Sequence, residues 1–324
     1  MQAVVGTTDR EGSRATRAPG ATERVWAAMG TTARIVLTGP AGEAATATVR
    51  DRVAELEHRW SRFLPDSDIS RINAGAGQPV PVHAETLELL EQARAWWQAT
   101  GGLFDPTVLD ALEAAGYDRD RFLGHGAVRV GRPAPGCAGL ELDPEALTAM
   151  VPTGVRVDVG GIGKGRAVDL VAEELVHHPG GLVDLGGDLR AWGRSPGGDG
   201  WAIEVEDLRD GSPVALLGLQ EGAVATSSTL RRRWTDGASC AHHLIDPRTG
   251  RPGGGEVVTV TVVAARTAPA EVLAKAALLT GTVDAARALL EAHDVAALVV
   301  PADGPPAAVG AFVELCWIPP ERLR

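Results

Sequence analysis

Apolar positions recur with a helical period over residues 44–59, where Val49, Val53 and Leu56 share one face and charges occupy the other. A second amphipathic run, 84–100, stops at Gly101-Gly102, glycines that end a helix readily. Shorter helices are predicted over 67–73, capped by Ser67 or Asp66, and over 164–177, 270–279 and 283–293. β-branched residues over 25–37 predict a strand or hairpin arm. Apolar runs predict further strands at 155–159, 181–185 and 296–300. The stretch 201–263 is strand-rich, with strands expected at 201–205, 214–219, 224–227, 242–245 and 257–264. Helices and strands mix without strict βαβ alternation, so the expected class is α+β. No Pro/Gly/Ser linker divides the chain from residue 25 onward. The expected organisation is a polar leader over 1–24, then one domain over 25–324 with two lobes around a central cleft.

Charge and composition narrow the function. The formal net charge is −11 and no basic stripe offsets it, which argues against nucleic acid as a partner. A phosphate compound remains compatible, because a few directed backbone amides outweigh a mean charge. No apolar run approaches the roughly 18 residues needed to cross a bilayer, so no membrane partner is expected. The first residues lack the apolar core of a secretory signal, and a cytoplasmic location is the expectation. Cys137, Cys240 and Cys316 are widely spaced, which predicts three reduced thiols rather than a zinc or disulfide framework.

Asp158-Val-Gly-Gly-Ile-Gly-Lys-Gly-Arg-Ala-Val-Asp169 is the segment richest in chemistry. It reads as a strand end, a glycine loop and a helix start, where backbone amides and the helix dipole favour an anion. It is not a P-loop: Asp158 stands where the first glycine is required, and Lys164 is followed by Gly165 rather than Ser or Thr. Nor is it a dinucleotide fingerprint, since Gly161, Gly163 and Gly165 are spaced by two. His242 and His243 precede Leu-Ile-Asp-Pro-Arg-Thr-Gly250, and one imidazole could act as an acid or base. Neighbouring histidines on a strand face opposite sides, so only one is expected in a given cleft. Thr226 and Ser227 supply hydroxyls for a ligand but lie in no nucleophile elbow. Glu271 and Lys275 are four apart on a predicted helix, which by position alone reads as a surface ion pair.

Together these segments resemble the ApbE family, the FAD:protein FMN transferases. The resemblance runs from about Met29 to Leu279. It rests on Met29-Gly-Thr31, the segment from Ser61 to Asn73, Gly102-Leu-Phe-Asp-Pro-Thr-Val108, Asp158 to Asp169, Leu185-Gly-Gly-Asp188, Ala225-Thr-Ser227 and His243 to Gly250. It implies a two-lobed, T-fold-related α+β domain that binds FAD in a central cleft. It also implies cleavage of the FAD pyrophosphate with Mg²⁺, transfer of FMN to a Ser or Thr of an acceptor flavoprotein, and release of AMP. Carried over by position, flavin contacts fall on Met29, Phe63, Leu103, Phe104, Asp105, Asp158, Lys164, Thr226, Ser227, His243 and Leu244. His243, Lys164 and Asp158 are the expected catalytic groups, with His243 as the base. The metal position falls on the backbone of Gly161 and on Glu271, where the family usually has Asp. Lys275 stands where the family has a Thr ligand, and Ser228 where it has Gly. A charged lysine has no lone pair for a cation, so this lysine either replaces the metal's charge or marks an FAD-binding protein or FAD pyrophosphatase without transfer activity.

Overall fold

Leu182 and Val183 are neighbours in one strand and belong to different hydrophobic cores. The same holds for Val36 against Ile35 and Leu37. Successive side chains of a strand point to opposite faces, so a strand apolar at every position must be covered twice. Gly180–Leu185, buried at all six positions, is such a strand. One face is packed by helices and the other by a small second sheet.

The computed structural model describes residues 20–39, 42–75, 77–117, 128–236 and 239–318. The main sheet runs Ala21–Ala28, Thr31–Thr38, Gly180–Leu185, Asp188–Ser195, Glu221–Ser228, Val257–Ala264, Ala296–Pro301 and Ala307–Val309, with Gly198–Asp199 beside the fourth strand. Each neighbouring pair is antiparallel. Helices Gly42–Trp60, Gly163–Leu175 and Thr267–Leu279 cover one face. Trp201–Asp207, Ser212–Leu219 and Cys316–Ile318 form a three-stranded sheet over the other. Trp201 Nε1 donates to the Trp192 carbonyl at 2.9 Å and ties the two sheets together. The α+β class expected from the sequence is the class observed.

Several boundaries move. The first strand opens at Ala21 rather than Val25, so residues 21–24 belong to the hairpin, while residues 1–19 of the expected leader lie outside the described residues. The hairpin turns through Met29 and Gly30, both at positive φ (50° and 63°), as a two-residue hairpin loop requires. Ser67 is the cap of the helix Asp68–Ala74, its Oγ accepting the Ser70 N–H at 3.0 Å. The strand expected at 155–159 does not form. Its backbone partner is a side chain: the Asn73 amide accepts from Val157 N–H at 2.8 Å and donates to the Val157 carbonyl at 2.9 Å. The strand expected at 242–245 is two short ones, Ser239–His242 and Ile245–Asp246. The break falls at His243 and Leu244, where Leu244 N–H turns back onto His242 Nδ1. Cys137 is buried, Cys316 half-buried and Cys240 exposed, and all three are free.

Candidate functional site

Two helix starts meet beside the cleft and cap one another. Gly165, in the first turn of Gly163–Leu175, faces Ala268 in the first turn of Thr267–Leu279; a Cβ at Gly165 would stand 2.7 Å from the Ala268 Cα. Across this contact Glu271 Oε2 accepts the Gly165 N–H at 2.8 Å. In return the Asp169 carboxylate accepts the N–H groups of Thr267 and Ala268 at 2.8 and 3.0 Å. Each carboxylate sits at the positive end of the other helix. The amides of the glycine segment are expected to favour an anion, and the Gly165 amide is held by the protein's own Glu271.

Lys164 reaches Asp188 and Glu271, a three-member ion cluster at the cleft wall. Burial pulls its ammonium toward neutrality, but the two carboxylates outweigh that and hold it above the usual lysine range. Burial pushes Asp188 up to about 6, against the downward pull of Lys164. Asp184, at the same Gly186-Gly187 turn, is also raised to about 6 by burial, though it accepts the Gly187 N–H at 2.7 Å.

Lys275, one helical turn beyond Glu271, lies against Gly161. A Cβ at Gly161 would collide with the Lys275 ammonium and lie 3.2 Å from the Phe104 ring, so only glycine allows this approach. Burial lowers Lys275 below the ordinary lysine value, and the Glu271 charge opposes this only in part. The expected surface ion pair of Glu271 and Lys275 is thus replaced: Glu271 is buried and pairs with Lys164.

A cleft open to solvent lies over these groups. Lys164, Thr226, Ser227, His243, Leu244 and Lys275 all line it. Thr226 presents its hydroxyl to Thr261 at 2.9 Å. Ser228 also reaches the wall, and its Oγ accepts the Leu230 N–H at 3.1 Å, turning the chain out of the Glu221–Ser228 strand. His243 Nδ1 is buried with no hydrogen-bond partner. Burial, then the charges of Arg232 and Lys275, push His243 well below its ordinary value, so the ring is neutral at physiological pH and can accept a proton.

Other expected contacts lie outside the lining. Asp158 Oδ2 pairs with Arg62 Nε at 2.6 Å, and its Oδ1 accepts the Gly160 N–H at 2.6 Å. The Arg62 guanidinium lies over Phe63, 4.2 Å from the ring centroid, and Phe63 meets Tyr117 edge-on. Phe63 is exposed and Phe104 is buried behind Gly161. Asp105 is spent locally, accepting from Thr107 N–H at 2.8 Å and Thr107 Oγ1 at 2.6 Å. Leu103 and Met29 are partly buried against the core. Residues that line the cleft and are not among the expected contacts include Gly186, Gly187, Asp188, Arg231 and Arg232. The Leu185-Gly-Gly-Asp188 turn and the run Arg231-Arg232-Arg233 were the available signals.

A divalent metal does not fit the groups at its expected position. Mg²⁺ needs several oxygen ligands in tight octahedral geometry. Both Glu271 oxygens are engaged, one by Lys164 and one by Gly165, and Lys275 offers a charge of the wrong sign. Among the described residues no group of three or more His, Cys, Asp or Glu could hold a metal ion. Among them, too, no helix is long and apolar enough to cross a membrane.

Known proteins share this architecture. Residues 29–299 match the model of the ApbE family. The chain is 27% identical over 285 residues to a FAD:protein FMN transferase of Vibrio cholerae, covering 84% of this chain and 85% of that one. It is 28% identical over 290 residues to the one of Treponema pallidum, covering 82% and 80%. The crystal structure of the ApbE protein of Thermotoga maritima superposes with a TM-score of 0.84 at 27% identity, over 92% of this chain and all (100%) of that one. The apo flavinyl transferase ApbE of Pseudomonas stutzeri gives 0.79 at 26% identity, over 92% and 97%. By the match of its sequence from the hairpin turn at Met29 to the Ala296–Pro301 strand, the chain belongs to the ApbE family.

Proposed function

We propose that this chain is an FAD:protein FMN transferase whose cleft handles the FAD pyrophosphate without a divalent metal. The observation that carries this is the placement of Lys275, whose ammonium lies against Gly161 on the cleft wall, one turn from Glu271. The family match, and the names of the relatives at 27–28% identity, support FAD as substrate and a protein hydroxyl as acceptor.

The acceptor Ser or Thr oxygen attacks the phosphorus on the FMN side of the pyrophosphate. The bond from that phosphorus to the bridging oxygen breaks, and the bridging oxygen leaves with AMP. The hydroxyl proton passes to His243, whose neutral ring has an unpartnered Nδ1. Lys275 stabilises the charge that builds on the phosphoryl oxygens, as a preorganised cation does. Lys164 is a positioning residue, holding Glu271 and Asp188 in place.

The test is incubation with FAD in EDTA, with and without a Ser/Thr-bearing acceptor, reading AMP release and an FMN-sized mass gain. AMP release that persists in EDTA is expected. AMP release that appears only with Mg²⁺ would overturn the metal-free reading. Tight binding of intact FAD with no AMP under any condition would make the chain an FAD-binding protein instead.

A further inference from the structure

Three consecutive arginines follow the hydroxyl-bearing strand, and two of them are engaged. Arg231 pairs with Glu206 at 3.6 Å. Arg233, in the strand Arg233–Asp236, directs Nη2 to Cys240 Sγ at 3.4 Å. Arg232 between them is half-buried and lines the cleft. Among the described residues it makes no ion pair and no hydrogen bond. Its backbone sits at φ 49°, in the left-handed region that side-chain-bearing residues rarely adopt. That twist takes Arg232 out of the alternation that sends its neighbours to Glu206 and Cys240.

Its surroundings explain what the guanidinium is for. It lines the same cleft as Lys164, Asp188 and His243, and its charge acts on all three. Lys164 is neutralised by Asp188 and Glu271. Arg232 and Lys275 are therefore the cleft cations left without an ion-pair partner among the described residues, and together they carry two positive charges. A guanidinium presents a planar fork of donors that matches phosphate oxygens, whereas an ammonium acts as a point charge.

We infer that Arg232 is a pyrophosphate-binding residue which, with Lys275, supplies the double positive charge that a divalent metal would otherwise bring to a dinucleotide substrate. This rests on the FAD reading for the identity of the substrate. The recognition itself requires only a diphosphate between the two cations, and no bond is made or broken by Arg232.

Riboflavin, FAD and inorganic pyrophosphate are titrated separately in EDTA into the full chain and its R232Q, R232K and R233Q variants. FAD and pyrophosphate should each bind at least about tenfold more weakly to R232Q, as loss of a charged hydrogen bond implies. R232K should recover part of the loss, since it keeps the charge and lacks the fork. R233Q, at an exposed arginine outside the cleft lining, should stay within about threefold of wild type, and riboflavin, which has no phosphate, should not distinguish the variants. Thermal midpoints should be unchanged in R232Q, because the side chain holds nothing in the fold. FAD and pyrophosphate bound equally by wild type and R232Q would overturn the role of Arg232 and leave the function reading standing. Arg232-dependent pyrophosphate binding with no FAD binding would sink the function reading and leave this inference standing. Equal loss of riboflavin binding in R232Q would also overturn it, since the residue would then act on the fold or the flavin ring.

Discussion

Glu271 accepts the backbone N–H of Gly165 at 2.8 Å, so a side chain of one helix completes the first turn of another. The same carboxylate pairs with Lys164, the residue before Gly165 in that turn. A buried carboxylate is retained in a core when it has partners of this kind, and removing it would strand them. Glu271→Ala is therefore expected to destabilise the fold by about 3–5 kcal/mol, the usual cost of leaving one member of a buried ion pair unpaired. Glu271→Gln keeps an acceptor for Gly165 and should cost less. Chemical denaturation at pH 7 compares the two, and equal losses would show that charge rather than capping dominates.

The contact that makes this capping possible is the approach of Gly165 to Ala268. The three nearest atoms, Ala268 Cα and N and Thr267 C, are backbone atoms, which cannot swing aside. Gly165→Ala should therefore separate the two helix starts and cost about 1–3 kcal/mol as overpacking, despite the higher helix propensity of alanine. A variant as stable as wild type would mean that the helices slide freely at this point.

His243 should be needed for chemistry and not for binding. His243→Ala is expected to lower the rate of FMN transfer by roughly 10²–10⁴, the range of a general base, with FAD affinity within about threefold of wild type. Because burial and the nearby cations push its titration well below the ordinary value, no loss of activity from His243 protonation is expected between pH 6 and 8. A steep fall in rate on acidification over that range, absent in the alanine variant, would contradict the assignment.

Asp188 gives the cleft a different pH response. Its folded value, about 6, lies above the ordinary 3.8, so it takes up a proton as pH falls through 6 while an unfolded aspartate does not. By linkage this contribution to stability increases as pH falls from 6 toward 3.8, and the ionised form weighs against the fold above 6. Protonation also removes a negative charge from the cleft wall. FAD should therefore bind more tightly at pH 5.5 than at pH 7.5, and Asp188→Asn should flatten that dependence. Flavin fluorescence titrations at the two pH values decide it.

The main elements were legible because burial on two faces leaves a plain imprint. The strand predicted at 257–264 is observed with the same ends, Val257–Ala264, as a continuous β-branched run. The strand at 155–159 was misread because an apolar run looks the same whether its partner is a strand or the side chain of Asn73. The cleft was partly legible. Lys164, Thr226, His243 and Leu244 do converge on it, and the family motifs place them. Two relations were not readable. Glu271 and Lys275 are spaced as a surface pair, but their helix is buried, and burial exchanges the lysine partner for one 107 positions away. Arg232 stands apart from Arg231 and Arg233 only through a positive φ, which a run of three like residues does not disclose.

The metal question yields the sharpest test, because it is set by two side chains. The family resemblance implies Asp and Thr where this chain has Glu271 and Lys275. Lys275→Thr removes the ammonium beside Gly161 and adds a hydroxyl oxygen, and Glu271→Asp shortens the carboxylate so that it no longer spans to both Lys164 and Gly165. The double variant should gain Mg²⁺-dependent AMP release from FAD that wild type lacks, with thermal stability rising on Mg²⁺ addition, as expected when a ligand binds the folded state. Lys275→Met alone should abolish the metal-free activity without restoring a metal response. It should also be more stable than wild type near neutral pH. The folded Lys275 value is lowered, so the unfolded chain binds more protons between that value and the ordinary 10.5, and wild-type stability rises with pH across that window. The gap between wild type and Lys275→Met should therefore narrow as pH rises toward 10.5. A constant gap would mean that Lys275 titrates as an ordinary lysine, and the case for a desolvated cation beside Gly161 would fall with it.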